Sequence, residues 1–88
     1  MTGVELIAQE RLEQKTKHGR TLQKDCDENK DLQLSQAAEA LIEGDLSWMP
    51  DSWEEAICER MISKGYQERL IIAGALIAAE LDRLNCQE

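Results

Sequence analysis

Leu70-Ile71-Ile72-Ala73-Gly74-Ala75-Leu76-Ile77-Ala78-Ala79-Glu80-Leu81 is the stretch that decides the fold. Wound at 3.6 residues per turn it is apolar on nearly every side, and such a helix is buried all round. The helix that carries it is expected from Tyr66 to Leu84, about 28 Å at 1.5 Å per residue. Its longest apolar run, Leu70 to Ala79, is ten residues. Crossing a bilayer takes about 20, so protein rather than lipid must cover it. The rest of the chain supplies three shorter amphipathic helices, enough for a partial cover only. Ala73, Gly74, Ala75, Ala78 and Ala79 leave room for close backbone approach. The helix is either a core element or a seam between two copies, and small domains often supplement their core by self-association. The expected architecture is all-α, one domain over residues 1–88. It is a compact bundle of about four helices, with the long C-terminal helix central and at an oligomer interface. Gly74 and Ala78 are expected at or near a close helix–helix contact.

Working back toward the N-terminus, Ser52-x-x-Glu55 has the capping-box spacing and opens a helix that packs through Trp53, Ile57 and Met61 and ends near Gly65. Before it, Gly44 to Pro50 reads as a loop carrying Trp48. A helix capped by Asn29 or Asp31 buries Leu34, Ala37, Ala38, Leu41 and Ile42 and stops at Gly44. Residues 19–30, rich in Asp, Asn and Lys, read as a loop. The first helix starts at a second capping box, Thr2-x-x-Glu5. It shows Val4, Ile7, Ala8 and Leu12 as its apolar stripe, and runs to His18 with Gly19 as its C′ residue.

The 88 residues carry 18 acids and 10 bases, a net charge of −8, and only Trp48, Trp53 and Tyr66 are aromatic. The core must come from Leu, Ile, Ala and Met, which suits helices. General nucleic-acid binding is disfavoured, because phosphate contacts need clustered Lys and Arg. An acidic surface suits solubility or a basic protein partner. Cys26, Cys58 and Cys86 are an odd set with no CxxC pair, which argues against a disulfide framework and a zinc site and for a reducing, cytoplasmic setting. The N-terminus shows no basic segment followed by an apolar run, so no signal peptide is expected.

Charge is segregated. Residues 14–24 hold Lys15, Lys17, Arg20 and Lys24 and no acid, on an otherwise acidic chain. Such an island suits a phosphate-bearing small molecule: Arg offers a bidentate fork, Lys a point charge, and His18 a further donor when protonated. The plainer explanation is that cations complement a helix C-terminus. That accounts for Lys15, Lys17 and His18 but not for Arg20 or Lys24. If a phosphate binds, Arg20 with Lys17 or Lys24 contacts it, His18 and Thr21 add hydrogen bonds, and Gly19 lets the backbone turn tightly. Arg11 and Gln14 share a helix face with His18 and line the same wall. Arg69 supplies a second cation from the start of the last helix, its long stem reaching across a short interface, unless it pairs with a neighbouring Glu.

Three other patterns carry less. Asp25-x-Asp27-x-Asn29-x-Asp31 begins like a calcium loop, but Lys30 and Gln36 stand where that loop needs Gly and a bidentate Glu. Glu10-x-x-Glu13 and Glu28-x-x-Asp31 loosely match the paired acidic motifs of all-helical nucleotide pyrophosphohydrolases similar to MazG, which hold magnesium on facing helices. In so acidic a chain such pairs also arise by chance. No Ser-His-Asp order, Gly-rich phosphate loop or HExxH motif is present, and a single histidine is a poor basis for catalysis. No metal or cofactor is expected.

Several segments together resemble a family of small phage and prophage proteins. They are Glu10-Arg11 with Gln14, then His18-Gly19-Arg20-Thr21, Asp25, Gln33-Leu34 and Ala37-Ala38. At the far end stand Arg69 to Ile77 and Ala79-Glu80-Leu81-Asp82-Arg83-Leu84. The likeness spans most of the chain outside residues 43–63. Many relatives carry Trp where Arg20 stands, and a further acidic or His residue near Asp25. What the resemblance implies is a setting, the host cytoplasm, where small phage proteins antagonise defences, some as homo-oligomers that sequester a nucleotide immune signal. Shared setting does not establish shared activity. The expectation that joins these strands is a non-catalytic homo-oligomer binding an anionic nucleotide-derived signal, with no nucleic acid and no membrane partner. The alternatives are a MazG-like pyrophosphohydrolase and an acidic inhibitor of a basic host protein.

Overall fold

The computed structural model describes residues 1–16 and 32–85. Four helices make up the described chain: α1 (Gly3–Thr16), α2 (Gln33–Glu43), α3 (Glu55–Ile62) and α4 (Tyr66–Asn85), with one 3-10 turn at Leu46–Trp48. No strand occurs among the described residues. The all-α reading therefore stands, with the long C-terminal helix packed against both α1 and α2. No described helix is long and apolar enough to cross a membrane.

α1 begins where the capping box places it. The Thr2 hydroxyl accepts from the Glu5 amide at 3.2 Å, and the Glu5 carboxylate accepts from the Thr2 amide at 2.9 Å. Those bonds, the Thr2 amide first, hold the Glu5 carboxyl below its ordinary range. α2 has no comparable start. Its N-cap is Leu32, in the left-handed region at φ 68° with no side-chain cap, and the expected caps Asn29 and Asp31 lie outside the described residues. Its end is the expected one. Gly44 at φ 71° sends its amide to the Ala40 carbonyl at 2.8 Å, a turn that glycine makes without Cβ strain. Asp45 then caps the 3-10 turn. Its carboxylate accepts from the Ser47 hydroxyl and amide, which lower its pKa.

The Ser52-x-x-Glu55 box does not form. The Trp53 amide instead donates to the Pro50 carbonyl at 3.1 Å, so residues 50–53 close a turn and α3 starts at Glu55 behind an uncapped Glu54. Asp51 and Ser52, the central residues of that turn, are both common turn formers. The shift re-aims α3: Cys58 is buried as a thiol, Met61 and Ile62 are half-buried, and Ile57, expected in the core, is 39% exposed.

The core is small. Leu34, Leu41 and Leu76 are its largest fully buried side chains, packed among Ala37, Ala38, Ala40, Ala73, Ala75 and Ala79. Alanine lets α2 and α4 come close, but each contributes little transfer energy beside the roughly 1.5–3 kcal/mol of a buried leucine. Ile42, expected inside, is 42% exposed, and Ala40 takes the inner position.

Two expectations about faces need correcting. α4 is not buried all round: Leu70, Ile77, Leu81 and Leu84 stay in solvent while Ile72, Ala73, Ala75, Leu76 and Ala79 face the core. And α1 does not bury Val4, Ala8 and Leu12. Val4 is 79% and Leu12 60% exposed, whereas Arg11 and Gln14 are buried. Ile7 explains the rotation. It presses into the notch at Gly74, where an added Cβ would lie 2.6 Å from its Cδ1. Residues four and seven further along, Arg11 and Gln14, share that face. Gly74 is thus a close helix–helix contact within the chain, made by α1 rather than by a symmetry mate.

Candidate functional site

The rotation of α1 turns its polar side toward α3 and α4 and opens a cleft of about 560 Å³ among the three helices. α1 contributes Glu10, Glu13 and Gln14. Ile57, Arg60, Met61 and Lys64 come from α3 and the turn after it, and Glu68, Ile71, Ile72 and Leu76 from α4. Ile72 and Leu76 are its buried apolar residues, while Arg60, Lys64 and Glu68 are exposed. A volume of this size lies in the usual range for small-molecule sites, which are mostly apolar with a few placed polar groups.

Gln14 is the placed polar group. The residue is only 4% exposed, and its Oε1 is buried without a hydrogen-bond partner among the described residues. A buried acceptor left unpaired costs about 1–3 kcal/mol, and a donor on a ligand removes that cost. Lys64 and Glu68 form a surface pair at 3.8 Å, one turn apart on the rim. Half-exposed pairs of this kind are worth little, so Lys64 can turn to another anion at small cost. The Arg60 Nε reaches back to the Ala56 carbonyl at 3.4 Å, a long bond that leaves its Nη groups on the rim.

Arg11 lies on the same helix face but is tied into the fold. Its Nη2 stands 3.4 Å from Asp82 Oδ2. Near the same end of α4 the Arg83 Nε donates to Glu80 Oε1 in a buried pair, and Glu80 Oε2 has no partner among the described residues.

Arg69 does not line the cleft. Its Nη1 donates to the Leu41 carbonyl at 2.9 Å, and the guanidinium lies over Tyr66, 5.7 Å from the ring centroid. It fills the space beside Gly44 and caps the C-terminus of α2, a favourable place for a cation. The structure therefore brings Arg11 and Gln14 together on one buried face and sets Arg69 apart from them. Lys17, His18, Gly19, Arg20, Thr21 and Lys24 lie outside the described residues, as do Cys26, Glu28, Asp31 and the calcium-like stretch.

Sequence reasoning missed Ile57, Met61, Arg60 and Lys64 as cleft residues. The signal was there: Ile57 with Met61 and Arg60 with Lys64 are two i,i+4 pairs on adjoining strips of α3 and the turn after it. Assigning the apolar pair to the core hid it. Among the described residues no three of His, Cys, Asp and Glu are grouped so as to hold a metal ion. No protein-family model matches the chain, and neither a curated protein nor a solved structure does.

Proposed function

We propose that the protein is a non-catalytic, self-associating binder of a small anionic molecule of the nucleotide class. The observation that carries this reading is Gln14: an amide oxygen buried without a partner among the described residues, in a cleft that five apolar side chains and two cations also line. A nucleobase has the matching surface. Its faces suit Ile57, Met61, Ile71, Ile72 and Leu76, and an amino or ring N–H donates to Gln14. Phosphates extend to Arg60 and Lys64; the basic island read from the sequence, Lys15, Lys17, Arg20 and Lys24, begins one residue after Gln14, and all but Lys15 lie outside the described residues. In the phage setting the family resemblance implies, such binding sequesters a host nucleotide signal.

One observation favours a second reading. Glu10 and Glu13, the first pair of the MazG-like pattern, line this same cleft, with Glu68 also on its wall. A magnesium-assisted pyrophosphohydrolase would draw on such carboxylates, but these three are not grouped so as to hold the ion by themselves, which makes this the weaker reading.

The test is calorimetric titration with a panel of mono-, tri- and cyclic dinucleotides, with and without magnesium. Heat denaturation and analysis of the released ligand follow. The proposal expects a ligand recovered intact, and binding weakened roughly 10- to 100-fold by Arg60→Ala and by Arg20→Ala, the scale of one charge-assisted contact. Gln14→Leu weakens binding while leaving the fold at least as stable, since it removes the unpaired acceptor. Released pyrophosphate or monophosphate moves the assignment to the hydrolase. Absence of binding across the panel overturns both.

A further inference from the structure

Leu70, Ile77 and Leu84 fall at seven-residue intervals along α4, with Leu81 one turn beyond Ile77 and Tyr66 one turn before Leu70. All five are in solvent: Tyr66 at 61%, Leu70 at 38%, Ile77 at 45%, Leu81 at 58% and Leu84 at 45% exposure. Spacing of seven with an intermediate at four is the seam of a helix pair, in which each side chain enters a hole on a facing helix. Gly74, between Leu70 and Ile77 on the same stripe, takes Ile7 of α1, so α1 borders the stripe at that one point; the buried Ala75 and Ala79 lie on the opposite side of the helix, and the five side chains themselves stay uncovered.

The seam is also uncharged along its whole length. α4 carries five charged residues, and each is engaged elsewhere. Glu68 is on the cleft wall and Arg69 on the Leu41 carbonyl. Asp82 faces Arg11, and Glu80 pairs with Arg83 inside the protein. On a chain of net charge −8 this is the surface where two copies approach with the least repulsion. A basic partner protein would dock on carboxylates, and the seam has none. The five side chains leave on the order of 500 Å² of apolar surface in solvent, a large single patch for a small monomer. A two-fold pairing doubles that to roughly 1,000 Å², the size at which a specific interface begins.

We propose that this seam of α4 is the contact between two copies of the chain. It gives the self-association in the functional reading above a definite surface, beside the Gly74 notch in which Ile7 of α1 already sits. The pairing concerns no residue of the ligand cleft except through α4 itself.

The test is sedimentation equilibrium of the full chain without nucleotide, with circular dichroism on the same samples. The expected result is a dimer with a dissociation constant in about the micromolar range for an interface of this size. Ile77→Glu and Leu81→Glu should each weaken it on the order of 100-fold, because a two-fold places two like charges in one dry seam. Both side chains are half-exposed, so helicity should persist; if it falls, Ile77→Gln and Leu81→Gln replace them and should weaken the dimer in the same direction. Leu12→Glu, on the outer face of α1, should leave the dimer unchanged. A wild-type chain still monomeric at about 100 µM overturns the proposal. So does a dimer insensitive to both α4 variants, or one broken by Leu12→Glu alone. A monomer that binds nucleotide refutes the pairing only, and a dimer that binds none refutes the ligand reading only.

Discussion

Gly74→Ala measured with and without Ile7 tests whether α1 docks as described. Replacing glycine by alanine inside a helix ordinarily stabilises it by about 0.5–1 kcal/mol, through lost chain entropy and better propensity. At Gly74 the new methyl would meet Ile7 Cδ1 at 2.6 Å and Cγ1 at 2.8 Å. The terminal carbon can swing away, but Cγ1 moves only if the side chain changes χ1 or α1 shifts. That kind of overpacking costs about 1–3 kcal/mol. In the wild-type background the two effects oppose, and Gly74→Ala should be neutral to destabilising by about 2 kcal/mol. In an Ile7→Ala background the obstructing atoms are gone, and the same change should stabilise by about 1 kcal/mol. The coupling between the sites is therefore about 1–3 kcal/mol, well above the few tenths expected of independent positions. Urea denaturation followed by circular dichroism, at one fixed protein concentration, measures all four corners. If Gly74→Ala stabilises equally in both backgrounds, Ile7 does not occupy the notch and the rotation assigned to α1 is wrong.

Arg83→Ala should cost about 3–5 kcal/mol in urea denaturation, because it strands the buried Glu80 carboxylate, whereas replacing both residues by leucine should recover most of the loss. Gly44→Ala should cost about 2–4 kcal/mol: it forces a Cβ into a left-handed position and displaces the Arg69 guanidinium from the Leu41 carbonyl. Differential scanning calorimetry should show it as a clear fall in Tm. The Thr2–Glu5 cap sets a pH dependence. Glu5 has a lowered folded pKa, so its contribution is fully present above the ordinary carboxylate range and is lost as pH falls through the lowered value. Thr2→Ala removes the hydroxyl but keeps the amide, so it should only shrink that acid-side step of the helicity profile, whereas Glu5→Gln should abolish it; a profile unchanged by Glu5→Gln would refute the cap.

What the sequence made legible was local. The Thr2 cap, the Gly44 stop and the extent of α4 depend on residues within a few positions of one another, and each formed as read. What escaped was the choice of face. Val4, Ile7, Ala8 and Leu12 make the better apolar stripe, yet Val4, Ala8 and Leu12 are exposed and Ile7 only half-buried, while Arg11 and Gln14 are buried. The deciding partners are Gly74 and Asp82, far along the chain, and no window of α1 contains them. The same limit split the candidate site. Arg11 and Gln14 were placed together correctly by helix periodicity, while Arg69 was added on charge alone and caps α2 instead. Its true neighbours, Leu41 and Gly44, lie on another helix. The Ser52 box failed for a local reason, the competing turn at Pro50, which capping-box spacing does not weigh.

The Arg11–Asp82 contact joins positions 71 apart in the chain. At about 5–20 residues per second, roughly 4–14 s of synthesis separates the two residues. Throughout that interval α1 has no docking site, since Gly74 and Asp82 both belong to α4, made after it. At 14 residues it is near the length at which an isolated helix is marginal in water. Its inward face is largely polar, so an undocked α1 shows little apolar surface beyond the Val4, Ala8 and Leu12 stripe that it also shows when docked. The buried polar side that sequence periodicity would count as a flaw thus keeps the wait for α4 from adding much apolar surface to α1.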